Sequence, residues 1–334
     1  MKEIRFFVRN RGAGYSIEKT FEPIFHLFEN STDYNIKIFH VPCLHADFIS
    51  LIRNIYYVWK NRSKNGINHV TGDIHYTMIG LIGTKSVLTI HDLVLLHNTK
   101  NIIKRSIYKL FWFRIPCKLA NRIICISETT KNELLKEQLA KKGNVDVIYN
   151  SLEHIFQYNH KVLNLKDPII LHIGTNWNKN LDKVIAALNG IKCRLTIIGK
   201  VDDRIKQELR ENNTNYTILQ DLSDEEVYRQ YCDCDIVSFP SLFEGFGMPL
   251  IEGQSTGRPV LTSNINPLIE ISGGAAIFVD PSSIKSIRNG FLKILEGKVD
   301  VTKIISDGLK NSKKFAPENA YKKYVIVYES LVRR

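Results

Sequence analysis

The chain has 334 residues, and its 44% hydrophobic content supports packed cores and excludes a disordered protein. At about 150 residues per domain, the length predicts two domains. Without a run of about 18 apolar residues, and with the charged start MKEIR, the sequence predicts neither a membrane-spanning helix nor a signal peptide.

The net charge of +12 favours anionic partners, such as a phosphorylated ligand, acidic lipid or nucleic acid. Six dispersed cysteines predict reduced thiols in a cytoplasmic protein.

Short β-branched runs recur through the first half of the chain. They lack clean polar–apolar alternation, which is typical of parallel strands buried on both faces. Helices are predicted over 101–120 and 128–142, the second beginning after Ser127 and ending before Gly143. The predicted strands are IRFFV (4–8), IKIFHV (36–41), SVLTI (86–90), RIICIS (122–127) and VDVIY (145–149).

A polar stretch over 150–167 predicts an interdomain connection, after which the alternation of strands and helices begins again. Two such halves predict doubly wound parallel sheets in two Rossmann-like domains that face a cleft. The expected domains are 1–155 and 156–316, followed by an amphipathic helix over 317–334. In the second half, strands are predicted at 169–174, 193–199, 216–219, 235–240, 259–262 and 276–279, and helices at 180–189, 203–211, 223–232, 249–256 and 283–296.

The segment FPSLFEGFGMPLIE (239–252) places Glu244 and Glu252 on either side of a glycine-containing turn. Pro249 suits the first turn of a helix, where we also expect Glu252, and Gly257 suits the helix end. Glycines allow close backbone approach to a ligand, and a helix N-terminus attracts phosphate. Because carboxylates accept hydrogen bonds from sugar hydroxyls, the segment predicts a nucleotide-sugar site. A loop with two solvated acids is the alternative.

The wider sequence resembles glycosyltransferase family 4, the retaining group 1 glycosyltransferases of the GT-B fold. The most specific match is PSLFEGFGMPLIEGQSTGRPVLTSN (240–264). The resemblance implies an α/β GT-B architecture whose last helix crosses back to the N-terminal domain. Further matching segments, in chain order, are TIHDL (89–93), RIICISETTKNEL (122–134), VIYNSLE (147–153), IGTNWNKNLDKVIAAL (173–188), DLSDEEVYRQYCDCDIVSFP (221–240) and PLIEISGGAAIFVDP (267–281).

The resemblance also implies roles for individual residues. Glu252 would bind the ribose of the nucleotide, Glu244 would contact the transferred sugar, and Lys179 would neutralise the leaving diphosphate. His91 would face the reacting sugar from the N-terminal domain. The catalytic candidates are therefore Glu244, His91 and Lys179. The donor-binding candidates are Glu252, Gly245, Phe246, Gly247, Met248, Leu250, Gly12, Gly14 and Thr175.

Two other features have more than one interpretation, and one position departs from the family pattern. Gly12 and Gly14 follow the first strand and form either a loop that approaches phosphate or a plain turn. Asp233 and Asp235 spell the Asp-x-Asp of metal-dependent glycosyltransferases of another fold, but their place before a strand favours a structural role. Asn178 stands where family members usually carry arginine.

Two segments, 53–64 and 100–118, interleave basic and aromatic residues. This pattern predicts contact with an anionic membrane. Nucleic-acid binding and an ordinary surface helix are the alternatives.

The resemblance, together with these features, implies metal-independent, retaining transfer from a nucleotide-diphosphate sugar to a saccharide acceptor. The expected acceptor is lipid-linked or part of lipopolysaccharide or polysaccharide, and the expected location is the cytoplasm, including the inner face of the membrane. Neither a cofactor, a bound metal nor a nucleic-acid partner is expected. A GT-B nucleotide-sugar epimerase and a non-catalytic nucleotide-sugar-binding protein remain as alternatives.

Overall fold

A computed structural model of the chain describes residues 1–11, 16–99 and 101–333. The chain divides into two compact units. The first unit comprises Met1–Glu153 together with Ala316–Arg334, and the second comprises His154–Phe315. The second unit is therefore inserted, along the chain, before the last helix of the first.

The described part of the first unit contains a parallel sheet of six strands in the order β2-β1-β3-β4-β5-β6. One of them, β3, escapes sequence analysis because its four residues INHV include two polar side chains that the fold buries completely. The side-chain oxygen of Asn68 accepts a hydrogen bond from the amide of Ser63. This bond replaces one that the side chain would make to water if it were exposed. The strands are β1 (Lys2–Val8), β2 (Tyr34–His40), β3 (Ile67–Val70), β4 (Lys85–Ile90), β5 (Arg122–Cys125) and β6 (Val145–Val147).

Helices cover both faces of this sheet. One core contains Val58 and Phe113, and the core on the opposite face contains Phe25 and Tyr328. The first face therefore carries α2, the 3-10 helix His75–Leu81 and the α4–α5 segment, and the second carries α1 and α14. The helices are α1 (Ser16–Glu29), α2 (Phe48–Asn61), α3 (Val94–Asn98), α4 (Ile102–Tyr108), α5 (Ile115–Leu119), α6 (Glu128–Lys136) and α14 (Pro317–Val332), with a π-helix at Lys109–Arg114 between α4 and α5.

Two helix predictions in this unit need correction. The helix predicted over 128–142 ends at Lys136, because the chain turns at Gln138, whose φ is +55°. The single helix predicted over 101–120 is three consecutive segments, with a π-helical turn in the middle.

The second unit has the same architecture as the first. Among its described residues six parallel strands lie in the order β12-β11-β10-β7-β8-β9. The prediction of two doubly wound parallel sheets is therefore confirmed. The strands are β7 (Ile169–Ile173), β8 (Arg194–Ile198), β9 (Asn215–Leu219), β10 (Ile236–Phe239), β11 (Val260–Ser263) and β12 (Ile277–Val279), and the helices are α7 (Leu181–Leu188), α8 (Asp203–Glu211), α9 (Asp224–Asp233), α10 (Met248–Thr256), α11 (Leu268–Ser272), α12 (Ile284–Leu295) and α13 (Val301–Ser312).

A buried histidine connects α14 to the first sheet. His69 of β3 lies with Nδ1 2.7 Å from the hydroxyl of Tyr328 and Nε2 2.8 Å from Oγ1 of Thr89. Burial, and then the neighbouring His91, lowers the pKa of His69 to about 3. The ring is therefore neutral in the folded protein, with one nitrogen donating and the other accepting.

Acid should consequently destabilise the protein through His69. In the unfolded chain this histidine has a pKa of about 6.5, so below that pH the unfolded state binds a proton that the folded state does not. The free energy of unfolding is unaffected above pH 6.5 and falls as the pH drops toward 3, by about 1.4 kcal/mol per pH unit for this group.

Urea unfolding of wild type, His69→Gln and His26→Gln between pH 7.5 and pH 4.5 measures this effect. His69→Gln should show a shallower loss of stability than wild type, although it is less stable at pH 7.5. The exposed control His26→Gln should follow wild type. Parallel curves for wild type and His69→Gln would contradict the assignment.

Candidate functional site

The strands β7 and β10 pair in parallel, so their carboxyl ends lie at the same edge of the second sheet. The segments that follow them, 174–180 and 240–247, are hydrogen-bonded to each other. The amide of Leu242 donates to the carbonyl of Asn178 at 2.8 Å, and Nδ2 of Asn178 donates to the carbonyl of Phe243 at 3.0 Å. Asn178, at the position where arginine was expected, thus joins the two segments.

This arrangement brings two of the catalytic candidates together. Nζ of Lys179 lies 2.6 Å from Oε1 of Glu244, and the side chains are only 19% and 11% exposed. The ammonium group also lies 4.9 Å from the ring centroid of Phe239. Because little water surrounds the two side chains, their opposite charges are weakly screened. The attraction between them is therefore stronger than in an ion pair at the surface. Glu244 is therefore not a solvated acid.

A glycine makes room for the lysine. Gly174 follows β7 with φ of +88°, and a Cβ atom there would lie 3.0 Å from Cγ of Lys179. A side chain at this position would strain the backbone and press on the lysine stem. Gly174 therefore belongs to the site, although sequence analysis did not select it.

Helix α10 begins beside this ion pair. Gly247 precedes it with φ of +107°, and a Cβ there would lie 2.5 Å from Cδ2 of Leu268, so glycine is required. Met248 is the first helical residue and Pro249 occupies the first turn, as predicted. The amide of Leu250 donates to the carbonyl of Gly247 at 3.1 Å, so this amide is hydrogen-bonded within the turn.

Glu252 is the fifth residue of α10 and lies in its second turn, so its predicted place on the first turn is wrong. Its Oε2 accepts a hydrogen bond of 2.5 Å from the hydroxyl of Tyr231. Burial, and then the charge of Glu252, raises the pKa of Tyr231 well above its ordinary value. Tyr231 therefore keeps its proton and orients the carboxylate.

The remaining donor-binding candidates of this unit lie around the same turn. Phe246 is buried and packs edge-on against the ring of Phe315, at 5.7 Å between centroids, while Gly245 is half-buried. Thr175 donates from Oγ1 to the carbonyl of Lys200, at the end of the neighbouring strand β8. Gly12 and Gly14 lie outside the residues that the structure describes.

His91 belongs to the first unit, where it directly follows β4. It is 8% exposed, and its Nε2–H donates to the carbonyl of Thr71 at 2.8 Å. Gly72, with φ of +138°, permits this contact, because a Cβ there would lie 2.4 Å from Cδ2 of His91. Burial lowers the pKa of His91, so the ring is neutral at pH 7.

The Asp-x-Asp sequence has a structural role at its second member. Asp235 is 1% exposed and accepts from the amides of Asn164 and Ile169, at 2.9 and 2.8 Å, and from Nζ of Lys161 at 2.9 Å. Its carboxylate fixes the connection into β7. Within the described ranges, no group of three or more His, Cys, Asp or Glu side chains is placed to hold a metal ion.

A further polar group lies under the site. His172 of β7 is fully buried in register with Ser238 of β10. Burial, and then the charge of Lys179, lowers its pKa to about 4. A neutral imidazole close to Lys179 adds polarity to the site without adding a second positive charge. Sequence analysis did not select this residue, because it stands within the apolar run IILHI.

Family comparisons cover both units. The model described as "Glycosyl transferases group 1" matches residues 156–312, and the model described as "Glycosyltransferase Family 4" matches residues 18–154. Together the matches span the strands β2–β12 and the segments 174–180 and 240–247 that form the candidate site.

The individual proteins that resemble this chain have low sequence identity to it. A glycosyltransferase of Methanocaldococcus jannaschii is 28% identical over 91% of this chain and 88% of its own length. The O-antigen chain mannosyltransferase RfbU of Salmonella typhimurium is 25% identical over 66% of this chain and 63% of its own. The structure of HepE from Anabaena, solved with UDP and glucose, superposes with a TM-score of 0.74 and 13% identity, covering 99% of this chain and all of that one. This likeness supports the GT-B fold.

The ion pair of the site should show strong energetic coupling. A double-mutant cycle with Lys179→Met and Glu244→Gln should give an interaction energy of about 1 kcal/mol or more in urea unfolding, because either single change leaves a largely buried charge unpaired. The exposed pair Lys303–Asp307, with side chains 70% and 40% exposed, is the control and should give about 0.5 kcal/mol or less. Equal coupling in the two pairs would show that burial does not strengthen the first.

Proposed function

The chain belongs to the group 1, family 4 glycosyltransferases, and we propose that it transfers a sugar with retention of configuration from a nucleotide-diphosphate sugar to a saccharide acceptor. The observation that carries the proposal is the ion pair between Lys179 and Glu244 beside the beginning of α10. There a cation, a carboxylate and a helix N-terminus share one sheet edge.

The chemistry of glycosyl transfer matches these groups. As the bond between the sugar carbon and the phosphate oxygen breaks, negative charge grows on the diphosphate. Lys179 and the positive end of α10 stabilise that charge more in the transition state than in the ground state. A carboxylate accepts several hydrogen bonds, so Glu244 can stay paired with Lys179 while it holds sugar hydroxyls.

Glu252 is proposed to bind the ribose of the donor. Its carboxylate is fixed on a helix and is oriented by the buried hydroxyl of Tyr231. Such a group can accept hydrogen bonds from two neighbouring hydroxyls without further loss of side-chain entropy. His91 is proposed to face the reacting sugar as a neutral group, and the loop of Gly12 and Gly14 to approach the donor.

The acceptor is proposed to be a saccharide carried on a lipid or on lipopolysaccharide, in polysaccharide biosynthesis. Support comes from the Salmonella relative, an O-antigen chain mannosyltransferase by name. An enzyme with such an acceptor works at a membrane, so we also propose peripheral association with the cytoplasmic face.

The proposed mechanism requires neither a cofactor nor a metal ion. A same-face attack, assisted by the leaving phosphate, accounts for retention without a protein nucleophile. Lys179 supplies the positive charge that a metal ion would otherwise bring to the diphosphate. Of the Asp-x-Asp pair, Asp235 is already bound by two amides and by Lys161.

Calorimetry with UDP and GDP tests the two glutamate roles. Glu252→Ala should weaken binding of the preferred nucleotide about tenfold or more, because hydrogen bonds to a charged group are lost. Glu244→Ala should leave that affinity nearly unchanged and chiefly lower turnover. Glu296→Ala, an exposed glutamate of the same unit, is the control. Unchanged affinity in Glu252→Ala would refute the ribose assignment.

Proton NMR of the product, followed in excess EDTA, tests the reaction type. With a panel of nucleotide sugars and lipid-linked or free saccharides, the product should keep the anomeric configuration of the donor. Loss of activity that Mg²⁺ or Mn²⁺ restores would contradict metal independence, and an inverted product would contradict retention. Conversion of the donor without an acceptor would indicate an epimerase.

A further inference from the structure

Helix α2 exposes an apolar stripe to solvent. At 100° per residue, its most exposed large apolar side chains fall within an arc of about 100°. Tyr56 and Trp59 stack within this stripe, at 5.6 Å between centroids, and the guanidinium of Arg62 lies 5.0 Å from the centroid of Trp59. The members of the α2 stripe are Phe48, Ile49, Ile52, Tyr56 and Trp59, each at least half exposed.

A second stripe lies on α4 and the π-helix that follows it. Ile102 and Ile103 are 80% and 74% exposed, although isoleucine is among the residues most often buried. The π-helical turn at Lys109–Arg114 keeps the next apolar side chains exposed. The members of the α4 stripe are Ile102, Ile103, Ile107, Leu110 and Phe111.

Both stripes belong to helices on the same side of the first sheet. Asn54 of α2 donates to the hydroxyl of Tyr76, and the ring of Tyr76 lies 5.0 Å from that of Trp112, between α4 and α5. The 3-10 helix His75–Leu81 therefore holds the two helices together, whereas α1 and α14 pack on the opposite face. We call the two stripes with their basic neighbours the α2–α4 surface.

Positive charge predominates on this surface, although Asp47 caps the start of α2 and Glu137 pairs with Arg105 and Lys109. Residues 48–64 contain four Lys or Arg, residues 101–119 contain five, and neither range contains Asp or Glu. Arg53 and Lys60 stand at the border of the α2 stripe, and Lys104 stands beside the α4 stripe; all three are exposed. A second copy of the chain would bring the same positive charge against this surface, whereas an anionic partner neutralises it.

We propose that the α2–α4 surface binds the surface of a bilayer that contains anionic phospholipid. Apolar side chains framed by basic residues match the interfacial region, where hydrocarbon begins just below the negative head groups. In the described part of the chain no helix has the length and apolar character needed to cross a membrane. The proposed contact is peripheral, with α2 and α4 lying along the interface.

This inference names the surface for the membrane association in the proposed function, but it is independent of catalysis. A Lys179→Met/Glu244→Gln variant should lose glycosyl transfer and still bind vesicles, because both residues lie in the second unit. Failure of vesicle binding in an active enzyme would therefore refute the α2–α4 surface and the membrane association, but not the proposed glycosyl transfer.

Co-sedimentation with unilamellar vesicles tests the proposal. The probes are vesicles of equal parts phosphatidylglycerol and phosphatidylcholine, and vesicles of phosphatidylcholine alone. Ile102→Ser/Ile103→Ser and Phe48→Ser/Ile49→Ser should each lower partitioning onto the anionic vesicles more than tenfold. The matched control is Ile326→Ser/Val332→Ser on α14, where two exposed apolar side chains lie on the opposite face of the sheet.

Neutralising Arg53, Lys60 and Lys104 with glutamine should lower partitioning about fivefold per residue at low salt, and less at high salt. Arg105 and Lys109 are left in place, because both contact Glu137. Unchanged melting temperatures would show that the variants fold.

Selective binding to anionic vesicles that the control retains and both serine pairs lose supports the proposal. Equal binding to both kinds of vesicle, or equal loss in the control, overturns it. Dimerisation that the serine pairs abolish, in a chain that does not bind vesicles, would assign the surface to a second copy.

Discussion

The candidate site depends on the parallel pairing of β7 with β10. Lys179 and Glu244 are 65 residues apart in the chain, and neither strand carries a catalytic candidate. Parallel pairing puts both carboxyl ends at one edge, and the hydrogen bonds of Asn178 then fix the two following segments against each other. A change of register by one residue would exchange side chains between the two packed faces of the sheet, so core packing also fixes the geometry of the ion pair.

The same pairing accounts for the polarity beneath the ion pair. His172 and Ser238 occupy matching positions on the two strands, buried at the end nearest the site. A lysine over purely apolar strands would pay a larger cost of desolvation.

Much of the fold could be predicted from the sequence, because parallel strands buried on both faces leave conspicuous apolar runs. The prediction failed where the pattern is interrupted, as in β3, whose Asn68 and His69 find buried partners. It also missed α1, α2 and α13 as helices. For α2 the basic and aromatic composition of residues 53–64 drew the interpretation toward a binding segment, and a surface helix was only one of its alternatives.

The candidate site was only partly accessible to sequence analysis. Glu244, Glu252 and Lys179 were found because they belong to a recognisable pattern. Tyr231 and Gly174 act through partners brought close by tertiary structure, and no local pattern marks them; Asn178 was noted only as a departure from the family pattern. Similarly, the basic and aromatic composition of residues 53–64 and 100–118 was visible in the sequence. That the apolar side chains of both helices remain uncovered, on one side of one sheet, could be learned only from the fold.

The order in which the two units occur along the chain has a consequence for biosynthesis. The first unit is discontinuous: its core needs Tyr324 and Tyr328 of α14, which are translated after the whole of the second unit. The second unit is one uninterrupted segment and can complete its sheet while α14 is still inside the ribosome. During that interval the pocket for α14, including His69, stands open with its apolar lining exposed. The first unit can therefore complete its core only after α14 is released, whereas the second unit needs no later segment of the chain.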